Sequence, residues 1–198
     1  MSPQQRLAVR LDGRVLELQI PGVDLAIQLG QGGSYTLSHD DPQLLDELAS
    51  ALEDHAWVVP PDGGLLSGLS VGANLALALS DGVHAATAQD AALQGALQAA
   101  GMPPERLARL HRLMPSDLNP LELWTVAWAI ALLRKPALLV LDHPMTHLNH
   151  AQQRAVLGMV ALFQDKHPTC PVLWLHLKPS LMPMVTQDAP SQEAACLC

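Results

Sequence analysis

Polar and apolar residues alternate at the start of the chain. Leu7 to Leu11 and Arg14 to Ile20 each read as a strand, and Asp12-Gly13 between them favours a tight hairpin. Val23 to Leu29 adds a third strand, and Ser34 to Ser38, after Gly32-Gly33, a fourth. The period then lengthens. Asp41-Pro42 opens a helix running to about Glu53, with Asp41 as N-cap and Pro42 in the first turn. Ala56 to Val59 is a short apolar strand that ends at Pro60-Pro61-Asp62-Gly63-Gly64. Helical spacing returns in Val71 to Leu79, and in Ala85 to Ala100 with Gly101 as a C-cap. It continues in Pro104 to Met114 and Pro120 to Leu133. Ala137 to Leu141 is a strand, Leu148 to Gln164 a helix and Val172 to Leu175 a last strand, with a weak helix after it.

A β-hairpin start followed by alternating strands and helices predicts an α/β domain with a largely parallel sheet. We expect a single domain over residues 1–186, with a helical subdomain at about 83–133 and a loose, polar tail at 187–198. The hydrophobic fraction of 49% supplies a core, which excludes a disordered chain. The net charge of −8 argues against a nucleic-acid partner, which needs clustered Lys and Arg. The N-terminus lacks the apolar stretch of a signal peptide. The longest apolar run, Val126 to Leu133, falls well short of the roughly 20 residues of a membrane span. A cytoplasmic location follows as the expectation. Cys170, Cys196 and Cys198 are too few for a disulfide framework.

Residues 134–149 read RKPALLVLDHPMTHLN, an apolar strand ending in Asp142 with Pro144 and Leu148-Asn149 beyond. This resembles the Walker B strand and D-loop of ABC transporter ATPases, four apolar residues followed by D-E-P and then S-x-L-D. Upstream, residues 118–133 (LNPLELWTVAWAIALL) are similar to the signature segment and its helix. Residues 58–79 (VVPPDGGLLSGLSVGANLALAL) resemble the Q-loop region, and VLWLH at 172–176 resembles the strand ending in the switch histidine. The form of the Q-loop segment and Ala129-Ile130-Ala131-Leu132 look most like the ATPases of MCE-type phospholipid transporters, the Mla group. The resemblance implies an ABC-type, P-loop-NTPase-like fold with a small N-terminal β part and a helical subdomain. It also implies a permease or a second ATPase subunit as partner, or a homodimer. Such a chain would meet the membrane only through the permease, at the inner face of the cytoplasmic membrane.

The departures from that pattern share a direction. A P-loop needs glycine-rich backbone, a Lys and a Ser or Thr to hold phosphates and Mg²⁺. The corresponding place here reads Ser38-His39-Asp40-Asp41, and no lysine precedes Lys135. The signature positions read Leu118-Asn119-Pro120-Leu121-Glu122, where Asn119 and Glu122 make a capping-box-like start with Pro120 at the first helical position. Pro120 removes an N–H donor, and Leu121 puts a bulky side chain where phosphate would approach. The Q-loop glutamine position is Pro61, the Walker B glutamate position is His143, and the D-loop aspartate position is Asn149. Only Asp142 and His176 remain of the catalytic set that the resemblance implies. The stretch from His39 to Pro61 is also shorter than the family pattern.

We therefore expect a non-catalytic ABC subunit with no ATP or Mg²⁺ cofactor. The alternative is a divergent ATPase that works only in a dimer or transporter complex. By the resemblance, the loop residues Leu65, Leu66, Leu69 and Val71 would dock a permease; loop packing is the plainer reading. For Asp142 the plainer role is bonding the neighbouring loop, and for His176 that of an ordinary strand-end residue. His143, His147 and His150 have suggestive spacing, but Pro144 interrupts it and no metal is expected. Arg106, Arg109 and Arg112 read as a solvated basic face.

Overall fold

The structure is a computed structural model, and it describes residues 7–20, 23–78, 85–103, 105–146, 148–177 and 184–188. The N-terminal alternation becomes an antiparallel sheet of β1 (Ala8–Asp12), β2 (Val15–Ile20) and β3 (Val23–Gln28). Next come β4 (Ser34–His39), α1 (Pro42–Leu52) and β5 (Trp57–Val59). The helical part holds α2 (Val71–Leu77), α3 (Ala85–Ala99), α4 (Arg106–Leu110) and α5 (Pro120–Arg134). Last are β6 (Leu139–Asp142), α6 (His150–Lys166), β7 (Val172–Leu177) and β8 (Met184–Asp188).

The central sheet has the order β5-β6-β7-β4-β8. Its first four strands run parallel and β8 pairs antiparallel to β4. Two expectations change here. The segment after β7 includes a strand at 184–188 where a weak helix was expected. Gln187 and Asp188 therefore belong to the sheet rather than to a loose tail; the rest of that tail lies outside the described residues. The expected helix over 104–114 shortens to the five residues of α4, and a separate 3-10 turn follows at Pro115–Asp117.

Strand alternation divides the core between the two faces of this sheet. Val59, Leu139, Leu141, Val172 and Trp174 pack with the helical layer, around Trp124, Trp128 and Phe163. Val58, Val140, Leu173 and Leu175 pack with Tyr35, Leu37, α1 and the N-terminal sheet. In α1 the buried residues are Leu45, Leu48, Ala49 and Leu52, a single stripe facing the sheet. In α5 nearly every residue from Trp124 to Ala131 is buried, as expected of a helix apolar all round. It is enclosed by α2, α3 and α6. Trp128 meets Phe163 edge to face at 6.1 Å, and its indole N–H donates to the Met159 carbonyl. Gly101 takes φ +70° just past α3, the left-handed end that its sequence position suggests. No helix among the described residues is long and apolar enough to cross a membrane.

Candidate functional site

Ligands of open α/β sheets collect at the carboxyl ends of the strands. That edge gathers most of the chemistry singled out in the sequence. The registers pair Ser38 with His176 and Asp142 with Leu175, so β4, β6 and β7 end side by side. His143 N–H donates to the Leu175 carbonyl at 3.1 Å, which carries the backbone past Asp142 onto the end of β7.

At the end of β4 only Asp40 and Asp41 separate the strand from α1. Asp41 is the N-cap: its Oδ1 accepts from the N–H groups of Gln43 at 3.0 Å and Leu44 at 3.4 Å. Its own N–H donates to His39 Nδ1 at 3.0 Å. The helix start is therefore satisfied by the chain itself, with two exposed carboxylates around it and no cation at residues 38–41.

At the end of β6, Asp142 is buried, with 6% of its surface exposed. Burial pushes its carboxyl above the usual 3.8; the hydrogen bond and charge of His143 offset part of this, and Asp46 of α1 adds to the rise. His143 Nδ1 lies 2.6 Å from Asp142 Oδ1, and with the carboxylate ionised the nitrogen is the donor. His143 has φ +47°, a left-handed conformation uncommon for a residue with a side chain. The partly buried His176 ring stacks on Trp174 at 6.2 Å, with 8° between the planes. His147 lies outside the described residues, while His150 Nδ1 is 3.3 Å from Gln153 Oε1.

The start of α5 is a second self-satisfied helix end. Asn119 Oδ1 accepts from Glu122 N–H, and Glu122 Oε2 accepts from Asn119 N–H, both at 3.0 Å. Pro120 sits at the first helical position, Leu118 is buried and Leu121 is half-buried. Glu122 is only 4% exposed, and Arg106 Nη2 stands 3.1 Å from its Oε1. Arg106 therefore leaves the solvated basic face to which its sequence neighbours suggested it belonged; Arg109 and Arg112 remain exposed.

Pro61 is exposed in the turn between β5 and α2. That turn lies on the start of α5: a Cβ on Gly63, whose φ is +80°, would stand 3.2 Å from the Leu123 carbonyl oxygen. Among the expected docking residues Leu66 is 56% exposed, and Leu65 and Leu69 are half-buried. Val71 is fully buried in the core and offers no surface; at the first position of α2 it shares the inward stripe of Leu75 and Ala78. Asn74, which the sequence reading passed over, ties this loop down. Its amide accepts from Leu66 N–H at 2.8 Å and donates to the carbonyls of Leu66, Leu69 and Ser70 at 3.1 Å.

No protein-family model matches the chain, and no curated protein sequence matches it. Solved structures do. The dimeric structure of MJ0796, a bacterial ABC transporter cassette, aligns over 91% of this chain and 96% of its own, with a TM-score of 0.57 and 15% identity. This chain has the fold of an ABC ATP-binding cassette. An ABC transporter ATP-binding protein from Pyrococcus furiosus gives a TM-score of 0.55 at 13% identity, over 89% of this chain and 90% of its own. A metal-chelate-type ABC transporter in an inward-facing conformation gives 0.55 at 15% identity, over 88% and 75%. The cassette fold agrees with the expected class, including the small N-terminal sheet and the helical layer. At these identities the likeness concerns the fold alone.

Proposed function

We propose that this chain is a non-catalytic, ABC-type nucleotide-binding-domain subunit that acts as a structural or regulatory part of a transporter. The observation that carries the reading is the β4–α1 junction. A triphosphate with Mg²⁺ requires unpaired backbone N–H groups, a cation and a hydroxyl in register. The junction instead offers two carboxylates, and the N–H groups of Gln43 and Leu44 are already bonded to Asp41. These residues do not fit a nucleotide polyphosphate. The α5 start supports the same reading, because the buried Glu122 carboxylate takes the place an anion would need.

Its partners would be a membrane permease, a catalytic ATPase subunit or a second copy. Leu65, Leu66 and Leu69 would provide the permease contact, without Val71. The dimeric architecture reported for MJ0796 is the motive for the second-copy option. Phospholipid transport of the MCE type is the cargo class we infer, from the form of residues 58–79 and 129–132.

The test is a Mg-ATP titration followed by thermal unfolding. A ligand binding only the folded state at a hundred times its Kd adds about 2.7 kcal/mol of stability. We expect no shift up to millimolar ATP while unfolding stays cooperative. A saturable shift abolished by Asp142→Ala would overturn the reading. The Asp142–His143 pair favours a second reading, a divergent ATPase completed only by a partner chain. That reading expects ATP turnover in the reconstituted transporter that is lost with Asp142→Ala.

A further inference from the structure

Charge is divided along this chain. Residues 15–105 hold no Lys or Arg, and Arg106, Arg109 and Arg112 then follow together. The acidic part includes the β4–α1 junction and the start of α1, where Asp40, Asp41, Asp46 and Glu47 are all exposed. Arg109 and Arg112 are exposed too, and among the described residues they form no ion pair. Carboxylates around them are engaged elsewhere: Glu122 stands 3.1 Å from Arg106, Asp90 2.8 Å from His111, and Asp117 accepts from Met114 N–H at 3.1 Å.

Both groups lie at the carboxyl edge of the central sheet, on opposite corners of it. The acidic corner follows β4 and belongs to the face that α1 covers. The basic corner lies past β5 on the helical face. There the turn after β5 sets Gly63 against the start of α5, Arg106 reaches Glu122 of that helix, and Leu110 of α4 is buried in the same layer. β4 and β5 are three strand spacings apart, about 14 Å. A half-turn about an axis along the strands, passing between β6 and β7, exchanges the two corners. An isologous pair of copies therefore sets each acidic corner against the basic corner of the other. Leu177, which ends β7 beside that axis and is 52% exposed, adds an apolar contact at the centre.

We propose that two copies of this chain pair through this edge, with the carboxylates of Asp40 and the α1 start on the guanidinium groups of Arg109 and Arg112 and no nucleotide between them. The pairing rests on the non-catalytic reading above and gives its second-copy partner a surface. Complementary charges of this kind fix register and exclude the orientation that would set acid against acid.

The experiment is sedimentation velocity on the whole chain without nucleotide. The natural chain should form a concentration-dependent dimer that weakens at about 1 M salt. Arg109→Glu/Arg112→Glu should weaken self-association at least tenfold, and so should Asp40→Lys/Glu47→Lys. An equimolar mixture of these two variants has complementary charge at both contacts and should dimerise as the natural chain does. Circular dichroism checks that each variant folds; Arg109→Gln/Arg112→Gln, which removes the charge without reversing it, should weaken the dimer less than the reversal. A natural chain that stays monomeric, a dimer indifferent to either reversal, or a mixture of folded variants that stays monomeric would each overturn the proposal. Added Mg-ATP separates this inference from the reading on which it rests. A chain monomeric with and without it removes the pairing alone, whereas a dimer that forms only with Mg-ATP removes both.

Discussion

Replacing Asp41 with alanine tests the physical basis of the functional reading without any ligand. The side chain accepts two hydrogen bonds at the start of α1, at 3.0 and 3.4 Å, and brings a negative charge to the positive end of the helix dipole. Loss of an N-cap costs about 1 kcal/mol, within a range of roughly 0.5–2. The dipole share of that loss is about 0.3–1 kcal/mol, so the two figures overlap rather than add. Asp41 is exposed, which places the expectation at the lower half of the range. For a domain of this size each kcal/mol moves the melting midpoint by roughly 2–4 °C, so Asp41→Ala should melt about 1–4 °C lower. Asp41→Asn keeps the acceptor and drops the charge, so it should fall between wild type and alanine. Because exposed charges are screened by salt, the gap between Asp41 and its Asn variant should close near 1 M salt. Differential scanning calorimetry at two salt concentrations measures all of this. If Asp41→Ala melts with wild type, the cap contributes nothing. If that variant gains a Mg-ATP shift that the natural chain lacks, Asp41 is what closes this helix end to phosphate.

Other consequences follow from the same geometry. Asp142 has a raised carboxyl pKa, so its contribution to stability is complete below 3.8 and is lost as pH rises through the higher folded value. Asp142→Asn should therefore show a smaller loss of stability than wild type as the pH rises above 3.8 in urea unfolding; parallel curves would refute the assignment to burial. Glu122→Ala removes the acceptor for Asn119 N–H and the partner of Arg106, and should cost about 1–3 kcal/mol. A double-mutant cycle with Arg106→Ala should return a coupling of at least about 0.5 kcal/mol, whereas additivity would place Arg106 back in solvent. The Cys170 thiol is buried and its pKa is pushed up to about 11, so it should resist maleimide at pH 8 until the protein is unfolded. Peptide mapping distinguishes it from Cys196 and Cys198.

The elements legible in the sequence were those whose ends carry their own chemistry. Asp41-Pro42 and Asn119-Pro120 each place a side-chain acceptor one residue before a helix, and both cap as their spacing suggests; Asn149 caps α6 as well, where the helix was expected to begin at Leu148. β8 was not legible, because its hydrogen bonds come from the free edge of β4, remote in sequence, and no local pattern in Met184–Asp188 supplies them. Arg106 was misassigned for a related reason: its partner Glu122 lies on another helix. A signal existed, since a lone carboxylate inside an otherwise apolar helical segment needs a cation. Val71 and Asn74 could have been found by running the helical stripe back to the first turn of α2. Positions 71, 74, 75 and 78 then share one face, which buries Val71 and turns Asn74 inward as the anchor of its loop.

The candidate site is harder to read than the fold because the two are encoded on different scales. Two core layers and a five-stranded sheet repeat the same instruction over dozens of residues, so the cassette shape persists at 13–15% identity to its structural neighbours. The chemistry at a helix N-terminus rests on two or three side chains. Orphan N–H groups there must be bonded by something, and a ligand or the protein's own oxygens serve equally well for folding. In α1 and α5 they are bonded by Asp41 and Asn119. Such replacements leave the backbone that a structural comparison measures almost untouched. Shape therefore does not separate a subunit that holds nucleotide from one that does not. What separates them is whether the helix end takes up an anion as it stands, and the occupied N–H groups of Gln43 and Leu44, beside two exposed carboxylates and with no cation at residues 38–41, argue that it does not.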